Sequence, residues 1–415
     1  MPRRASFRLF VLGCVLSLAP AAFAEDFAVR DGDVVGFLGD SITAERTYGK
    51  LIENYTLLRF PEREVRFLNL GIGGDTAAGG LTRLERDVFG RGVTLLTVAY
   101  GINDIGWGTK ADDEHRQRYL DSIREIVRAC RERGVRVYIC SAAVTAADPE
   151  KSENDYLQQM CDAGLAVARE EGAGTIDVQR TMREAQRRIK AANAAVPPER
   201  HETLHAPDGI HLNEIGQLAM TYAILKGLGA PEEVSSCTID AAGEQVVETR
   251  GCSVGEISKI ERGVRFVRLD EGLPFNNGAF AALSYRFVPI PKINAYRLKV
   301  TNLAPGTYDL VVDGRAVGSY GADALSAGVD IASATADGWQ PGGPWDAQAT
   351  MLKSLTEARH ELDLALQSGE RTLPESELLP AVQKETDAAN ARLEGMQRLV
   401  AKPRPYEFVL TRRDQ

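Results

Sequence analysis

Five apolar runs, at 33–39, 65–70, 93–100, 135–141 and 174–178, are continuous rather than alternating, and stretches of helical spacing separate them. A strand with water on one face alternates apolar and polar residues; a strand covered on both faces does not. The helical stretches lie near 47–59, 78–89, 112–133, 152–171 and 181–195, with a last one near 213–228. Repeated strand–helix units with short loops predict a parallel sheet with right-handed crossovers and helices on both faces. In such sheets ligands gather beyond the carboxyl ends of the strands.

After Pro231 the texture changes. Residues 235–320 carry short alternating runs, such as Val264-Arg265-Phe266-Val267-Arg268-Leu269, separated by the turn signals Asn276-Asn277-Gly278, Ala304-Pro305-Gly306 and Asp313-Gly314. This predicts a small antiparallel β domain. Two helices follow over 346–368 and 375–398, joined near Ser368-Gly369, with Leu352, Leu355, Leu362 and Leu366 at helical spacing. A last strand at 406–411 makes the hairpin an insertion into the β domain. The expected division is an α/β domain over 25–232, a β-sandwich-like accessory domain over 233–330, a helical hairpin over 331–402 and the final strand within 403–415. Trp345 and Trp339, in a glycine-rich segment, are expected at a buried joint between β domain and hairpin.

Residues 1–24 read as a secretory signal peptide. Arg3, Arg4 and Arg8 precede an apolar run over 9–18, and Ala22-Phe23-Ala24 supplies small residues at the cleavage site, so the expected mature chain starts at Glu25. The run is too short for a membrane anchor. Export places the protein in the periplasm or outside the cell. Removal of three arginines leaves 46 basic against 58 acidic residues, a net charge of about −12. That disfavours nucleic acid and anionic membrane surfaces as partners, since both demand a basic face. Beyond the signal no stretch approaches transmembrane length. Cys130, Cys140, Cys161, Cys237 and Cys252 remain, an odd number, with Cys237 and Cys252 the best candidate disulfide pair. No cysteine or histidine spacing calls for a metal.

Gly39-Asp40-Ser41-Ile42 places a serine just past the first strand. A serine hydroxyl is a weak nucleophile unless a base takes its proton. Of the five histidines, His115 and His360 read as solvated helix residues, and His201 and His205 as surface loop residues. His211 stands apart, because Asp208 precedes it by three residues and can reach its imidazole from the same turn. Acyl transfer also needs donors for an oxyanion. The loop after the second strand, Gly71-Ile72-Gly73-Gly74-Asp75-Thr76, exposes backbone N–H groups, and Asn103 in the loop after the third can offer its amide. The Ser41 N–H is a further donor. Asp75 and Asp104 are expected to hold their loops. Asp40 and Trp107 are expected to touch substrate.

Gly39-Asp40-Ser41, Gly74, Gly101-Ile102-Asn103-Asp104 and Asp208-Gly209-Ile210-His211 match, in order, the four blocks of the SGNH/GDSL hydrolase superfamily, which this chain resembles over roughly 33–228. Ile102 departs from the glycine common at that position. The resemblance implies a flavodoxin-like three-layer sandwich around a five-stranded parallel sheet, with no cofactor. It implies Ser41 as nucleophile, His211 as base oriented by Asp208, and an oxyanion hole of Ser41, Gly74 and Asn103.

The expected activity is hydrolysis of an O-acetyl or other short acyl ester on a small molecule or polysaccharide. Export and the accessory β domain favour a carbohydrate by analogy. Competing readings are a lipid or thioester hydrolase and a non-catalytic carbohydrate-binding protein with a vestigial triad. The complete set of chemical groups argues against the last.

Overall fold

The computed structural model describes residues 27–278, 281–373 and 377–414, so the expected signal peptide lies outside the described residues. Five parallel strands, β1 (Val34–Gly39), β2 (Arg66–Gly71), β3 (Leu95–Ala99), β4 (Arg136–Cys140) and β5 (Gly174–Ile176), form one sheet in the order β2-β1-β3-β4-β5. The strands are the continuous apolar runs, and β3 is buried at every position. The order reverses between β1 and β3, so both loops leaving those strands open at one switch point.

One-turn helix α1 (Ser41–Ala44) leads from β1 to α2 (Thr47–Arg59), and α3 (Ala77–Thr82), α4 (Asp113–Glu132), α5 (Tyr156–Glu170), α6 (Val178–Asn193) and α7 (Glu214–Gly227) follow. Aspartate or asparagine caps most of the long helices. Asp112, Asp155, Asp177 and Asn213 each accept a backbone N–H of the first turn, satisfying a donor that has no helical partner. Two cores result. Leu51, Ile52, Tyr55, Met182, Ile189 and Leu225 pack on one face of the sheet, and Leu84, Ile123, Ile126, Met160 and Leu165 on the other. The helix expected over 78–89 breaks after Thr82 and resumes as a π-turn at Glu85–Phe89.

The chain then builds a β-sandwich. Strands β6 (Glu233–Asp240), β7 (Gln245–Arg250), β8 (Cys252–Ile260), β9 (Gly263–Asp270), β10 (Ala295–Thr301), β11 (Thr307–Val312), β12 (Arg315–Gly321), β13 (Val329–Asp330) and β14 (Tyr406–Arg412) form sheets in the orders β13-β10-β6-β7 and β12-β11-β14-β9-β8. The expectation of a purely antiparallel domain fails at one place: β6 and β10 pair in parallel. The segment between β9 and β10 explains it. This segment includes α8 (Ala281–Ser284) and packs Phe275, Phe287 and Ile290 into the core of the α/β half, so β10 returns in the same direction as β6. The sandwich closes over Phe266, Leu298, Leu310, Trp345 and Phe408. Trp345 is fully buried and donates its indole N–H to the Ala332 carbonyl, whereas Trp339 is 80% exposed.

Short α9 (Ala322–Ala327) precedes the hairpin of α10 (Pro344–Thr372) and α11 (Leu379–Ala401), which lies between β13 and β14 in the chain. The first helix runs through Ser368-Gly369, where the turn was expected, and stops just before Leu373-Pro374. The residue preceding a proline is pushed out of helical geometry, a stronger break than a lone glycine. Cys237 and Cys252 are free thiols, not the expected disulfide: Cys252 donates to the Ser236 carbonyl at 3.3 Å, and Cys237 lies 3.4 Å from the Arg268 guanidinium.

Helix α2 joins the parts. Eleven of its thirteen residues are buried, because it has no solvent face. Leu51 and Tyr55 point into the α/β core, Leu57 and Leu58 into the sandwich, and Glu53 and Asn54 meet the hairpin.

Candidate active site

Ser41 begins α1 immediately after β1. Asp40 caps that helix, its carboxylate accepting the Ile42 N–H at 3.0 Å. Asp40 is 5% exposed, so most of its surface is taken up by packing behind the serine. Burial pushes its pKa up to about 6, against the lowering effects of the Ile42 N–H and of His211. Gly71, at the end of β2, lets α1 approach: a Cβ there would sit 2.3 Å from the Ala44 nitrogen.

His211 arrives from a pinned turn. The Ala206 N–H donates to the His211 carbonyl at 2.9 Å, and the Ala146 N–H to the Gly209 carbonyl at 2.8 Å. His205 belongs to this frame. It is buried rather than a surface residue, and its Nε2 bonds the Val144 carbonyl at 2.9 Å. One oxygen of Asp208 accepts the N–H groups of Ile210 and His211, at 2.9 and 3.0 Å; the other meets His211 Nδ1 at 2.5 Å. The histidine bond first, and then these backbone donors, hold the Asp208 pKa down to about 2. An ionised Asp208 can only accept, so Nδ1 keeps its hydrogen and donates it to the carboxylate, which leaves Nε2 as an acceptor. His211 Nε2 stands 2.8 Å from Ser41 Oγ.

The two glycine-bearing loops lie alongside. Gly74 has φ 74°, a left-handed angle that a side chain disfavours. Among the described residues no backbone acceptor takes the Ser41 or Gly74 N–H. Asn103 Nδ2 donates to the Asp75 carbonyl at 3.0 Å, and its Oδ1 accepts the Trp107 indole N–H at 2.9 Å. An amide nitrogen carries two hydrogens, so one remains for a ligand. Trp107 has φ 57° and is 49% exposed, with its ring edge-on to His211 at 5.8 Å.

Asp104 and Asp75 hold loops. Asp104 accepts the Ala77 N–H at 3.0 Å, and burial pushes its pKa up to about 7. Asp75 pairs with Arg83 at 2.8 Å and accepts the Tyr100 hydroxyl at 2.9 Å. Sequence reasoning missed Arg83. It is 8% exposed and also donates to the Gly39 carbonyl at 3.4 Å, joining the first two loops. Its one signal was an arginine set directly between the small and apolar residues Gly79-Gly80-Leu81-Thr82 and Leu84. His115 bonds its own helix cap, Asp112, and His201 reaches the Val196 carbonyl; neither joins the site. His360, expected to be solvated, is 3% exposed and bonds Glu53 at 3.0 Å beneath the hairpin.

Residues 37–219 match the GDSL-like lipase/acylhydrolase family. No curated protein matches the chain. Among solved structures, a gut microbial diltiazem-metabolizing enzyme shares 23% identity, with 93% of this chain and 98% of that one aligned at a TM-score of 0.78. The likeness extends through the sandwich and hairpin, and at that identity it concerns the fold. An acetylxylan esterase from Geobacillus stearothermophilus is 18% identical over 49% of this chain and 96% of its own, with a TM-score of 0.41. The family match places a GDSL-like lipase/acylhydrolase domain over residues 37–219, and the protein is a carboxylic ester hydrolase.

Proposed function

We propose that this protein removes acetyl or other short acyl groups from carbohydrates by double displacement at Ser41. The observation that carries the reading is the unbroken relay from Ser41 Oγ to His211 Nε2 at 2.8 Å and from His211 Nδ1 to Asp208 at 2.5 Å. Ser41 attacks the ester carbonyl as His211 takes its proton, and Asp208 stabilises the imidazolium. The N–H groups of Ser41 and Gly74 and the remaining Asn103 hydrogen receive the oxyanion. His211 then protonates the departing alcohol, accepts a proton from water, and the acyl-serine is hydrolysed.

The preference for a small acyl group rests on space. Behind the serine the core has no tunnel for a long acyl chain: the cavity lined by Asp40, Ile42, Ala99, Ala142 and Ile210 offers only about 10 Å³, on the scale of one water molecule. The other side of the site is open: the side chains of His211 and Asp208 are 31% and 38% exposed. The half-exposed ring of Trp107 beside His211 suits stacking of a sugar leaving group. Among the described residues no helix is long and apolar enough to cross a membrane. Export through cleavage before Glu25 belongs to the same proposal, and N-terminal sequencing of the secreted or periplasmic protein checks it.

The test is hydrolysis of p-nitrophenyl esters of two to twelve carbons, beside acetylated xylan and diltiazem, by the parent protein and Ser41→Ala. Ser41→Ala is expected to lose about 10⁴-fold or more in kcat. Undiminished activity in that variant sinks the mechanism. A preference for long chains sinks the acyl-size assignment, and failure to release acetate from acetylated glycans sinks the carbohydrate assignment.

A further inference from the structure

Arg46 and Trp107 are the two non-glycine residues of the α/β half with left-handed backbone angles among the described residues; Arg46 has φ 71°. For a residue with a Cβ that conformation is disfavoured, and it persists only where the surroundings hold it. Arg46 sits at the joint between α1, which begins with Ser41, and α2. Its N–H donates to the Thr43 carbonyl at 2.9 Å, and the Glu45 N–H donates to the Ser41 carbonyl at 3.0 Å. The left-handed residue therefore sets how the one-turn helix carrying Ser41 ends.

The side chain of Arg46 is 5% exposed and runs away from the serine into the hairpin. Its Nη2 donates to Gln367 Oε1 at 2.9 Å, its Nη1 lies 3.3 Å from His360 Nδ1, and Asp363 stands 4.0 Å away. All three residues belong to α10. They are themselves fixed. His360 Nε2 bonds Glu53 at 3.0 Å, Glu53 also binds Arg359 and accepts from Gln397 at 2.8 Å, and Asp363 accepts from Asn390 of α11 at 2.7 Å. On the opposite side of the joint, Gln217 of α7 accepts the Tyr48 N–H at 3.2 Å and donates to Glu45 at 2.9 Å. The joint is gripped by the helix that follows His211 and by the hairpin.

We propose that the helical hairpin is a positioning device for the nucleophile: His360, Gln367 and Asp363 hold Arg46 in its left-handed turn, and so fix the angle at which α1 presents Ser41 Oγ to His211. Arg46 is a positioning residue, acting through α1. The inference rests on the reading of Ser41 as nucleophile. The competing role is a staple that only fastens the hairpin to the α/β half.

Three variants separate these roles. Arg46→Gly keeps a residue for which the left-handed angle is free and removes the link to the hairpin. Gln367→Leu removes one acceptor at a half-buried position, and Gln367→Glu restores an acceptor there. Each is checked for native circular dichroism and Tm. Each is then assayed for kcat and KM on p-nitrophenyl acetate and for the second-order rate at which an organophosphonate labels Ser41. Positioning predicts that Arg46→Gly and Gln367→Leu lose about 10–10²-fold in kcat and in labelling rate, with KM within about twofold, and that Gln367→Glu recovers most of the loss. A fall in Tm with kcat and labelling unchanged would mean a staple only and overturn the proposal. Ser41→Ala runs alongside: if it is still active and still labelled, the nucleophile reading has failed and takes the inference with it, an outcome distinct from unchanged rates in the Arg46 and Gln367 variants.

Discussion

The Trp107 indole N–H donates to Asn103 Oδ1 at 2.9 Å. With the Asp75 carbonyl taking one amide hydrogen, this bond leaves the Asn103 side chain a single orientation.

Trp107→Phe keeps a flat ring and loses the donor. The amide can then flip, and a mis-set oxyanion donor should cost about 10-fold in kcat, against about 10²–10³ for outright loss of such a donor. In an Asn103→Ala background the same substitution should cost almost nothing more. A double-mutant cycle in kcat measures the coupling, and additive losses would contradict it.

Asp40 should make stability depend on pH. Its folded pKa of about 6 lies above the ordinary aspartate value of 3.8. Between those values the folded protein keeps a proton that the unfolded chain has released, so stability falls as pH rises from about 4 to about 6 and is level above. Asp40→Asn retains an oxygen for the Ile42 N–H. It should match the parent near pH 4 and be the more stable at pH 8, by up to about 3 kcal/mol. Urea unfolding at both pH values decides it, and equal stability at pH 8 refutes it.

Arg83→Met should disturb two loops at once. It leaves Asp75 without its guanidinium in a mostly buried place, which typically costs about 3–5 kcal/mol. It also removes one of the two donors to the Gly39 carbonyl, two residues before Ser41, leaving only the Ile72 N–H. Loss of both Tm and kcat is expected, with the kcat deficit persisting at temperatures where the variant is fully folded.

Trp345→Ala acts on the other half. The ring is fully buried, stacks on Phe408 at 6.2 Å and meets Tyr296 edge-on at 5.0 Å. Truncation should destabilise by about 3–5 kcal/mol. The site is remote, so kcat below the transition should stay within about twofold while calorimetric Tm drops.

Much of this architecture was legible because it is local. Continuous apolar runs mark strands covered on both faces, and the spacing from Asp208 to His211 fits inside one turn. What escaped depends on partners far along the chain. Nothing near His360 announces that Glu53 and Arg46, more than three hundred residues earlier, will bury it. The parallel pairing of β6 with β10 likewise depends on where the intervening segment docks. Arg83 drew no reading because its partners, Asp75, Tyr100 and the Gly39 carbonyl, come from three separate loops. Asp40 lay in the right block, but whether its carboxylate faces a ligand or caps a helix is decided by one side-chain rotation.

The position of β14 bears on how the chain comes to be assembled. These seven residues, last among the described strands, sit in the middle of their sheet between β11 and β9. Until they are synthesised and delivered past the whole hairpin, Val264 and Phe266 on one side and Leu310 and Val312 on the other line two open seams that can pair with any passing strand. The α/β half can complete its own sheet long before. A maturing molecule thus passes through a stage with one finished half and one sticky half, when it is most exposed to aggregation and proteolysis.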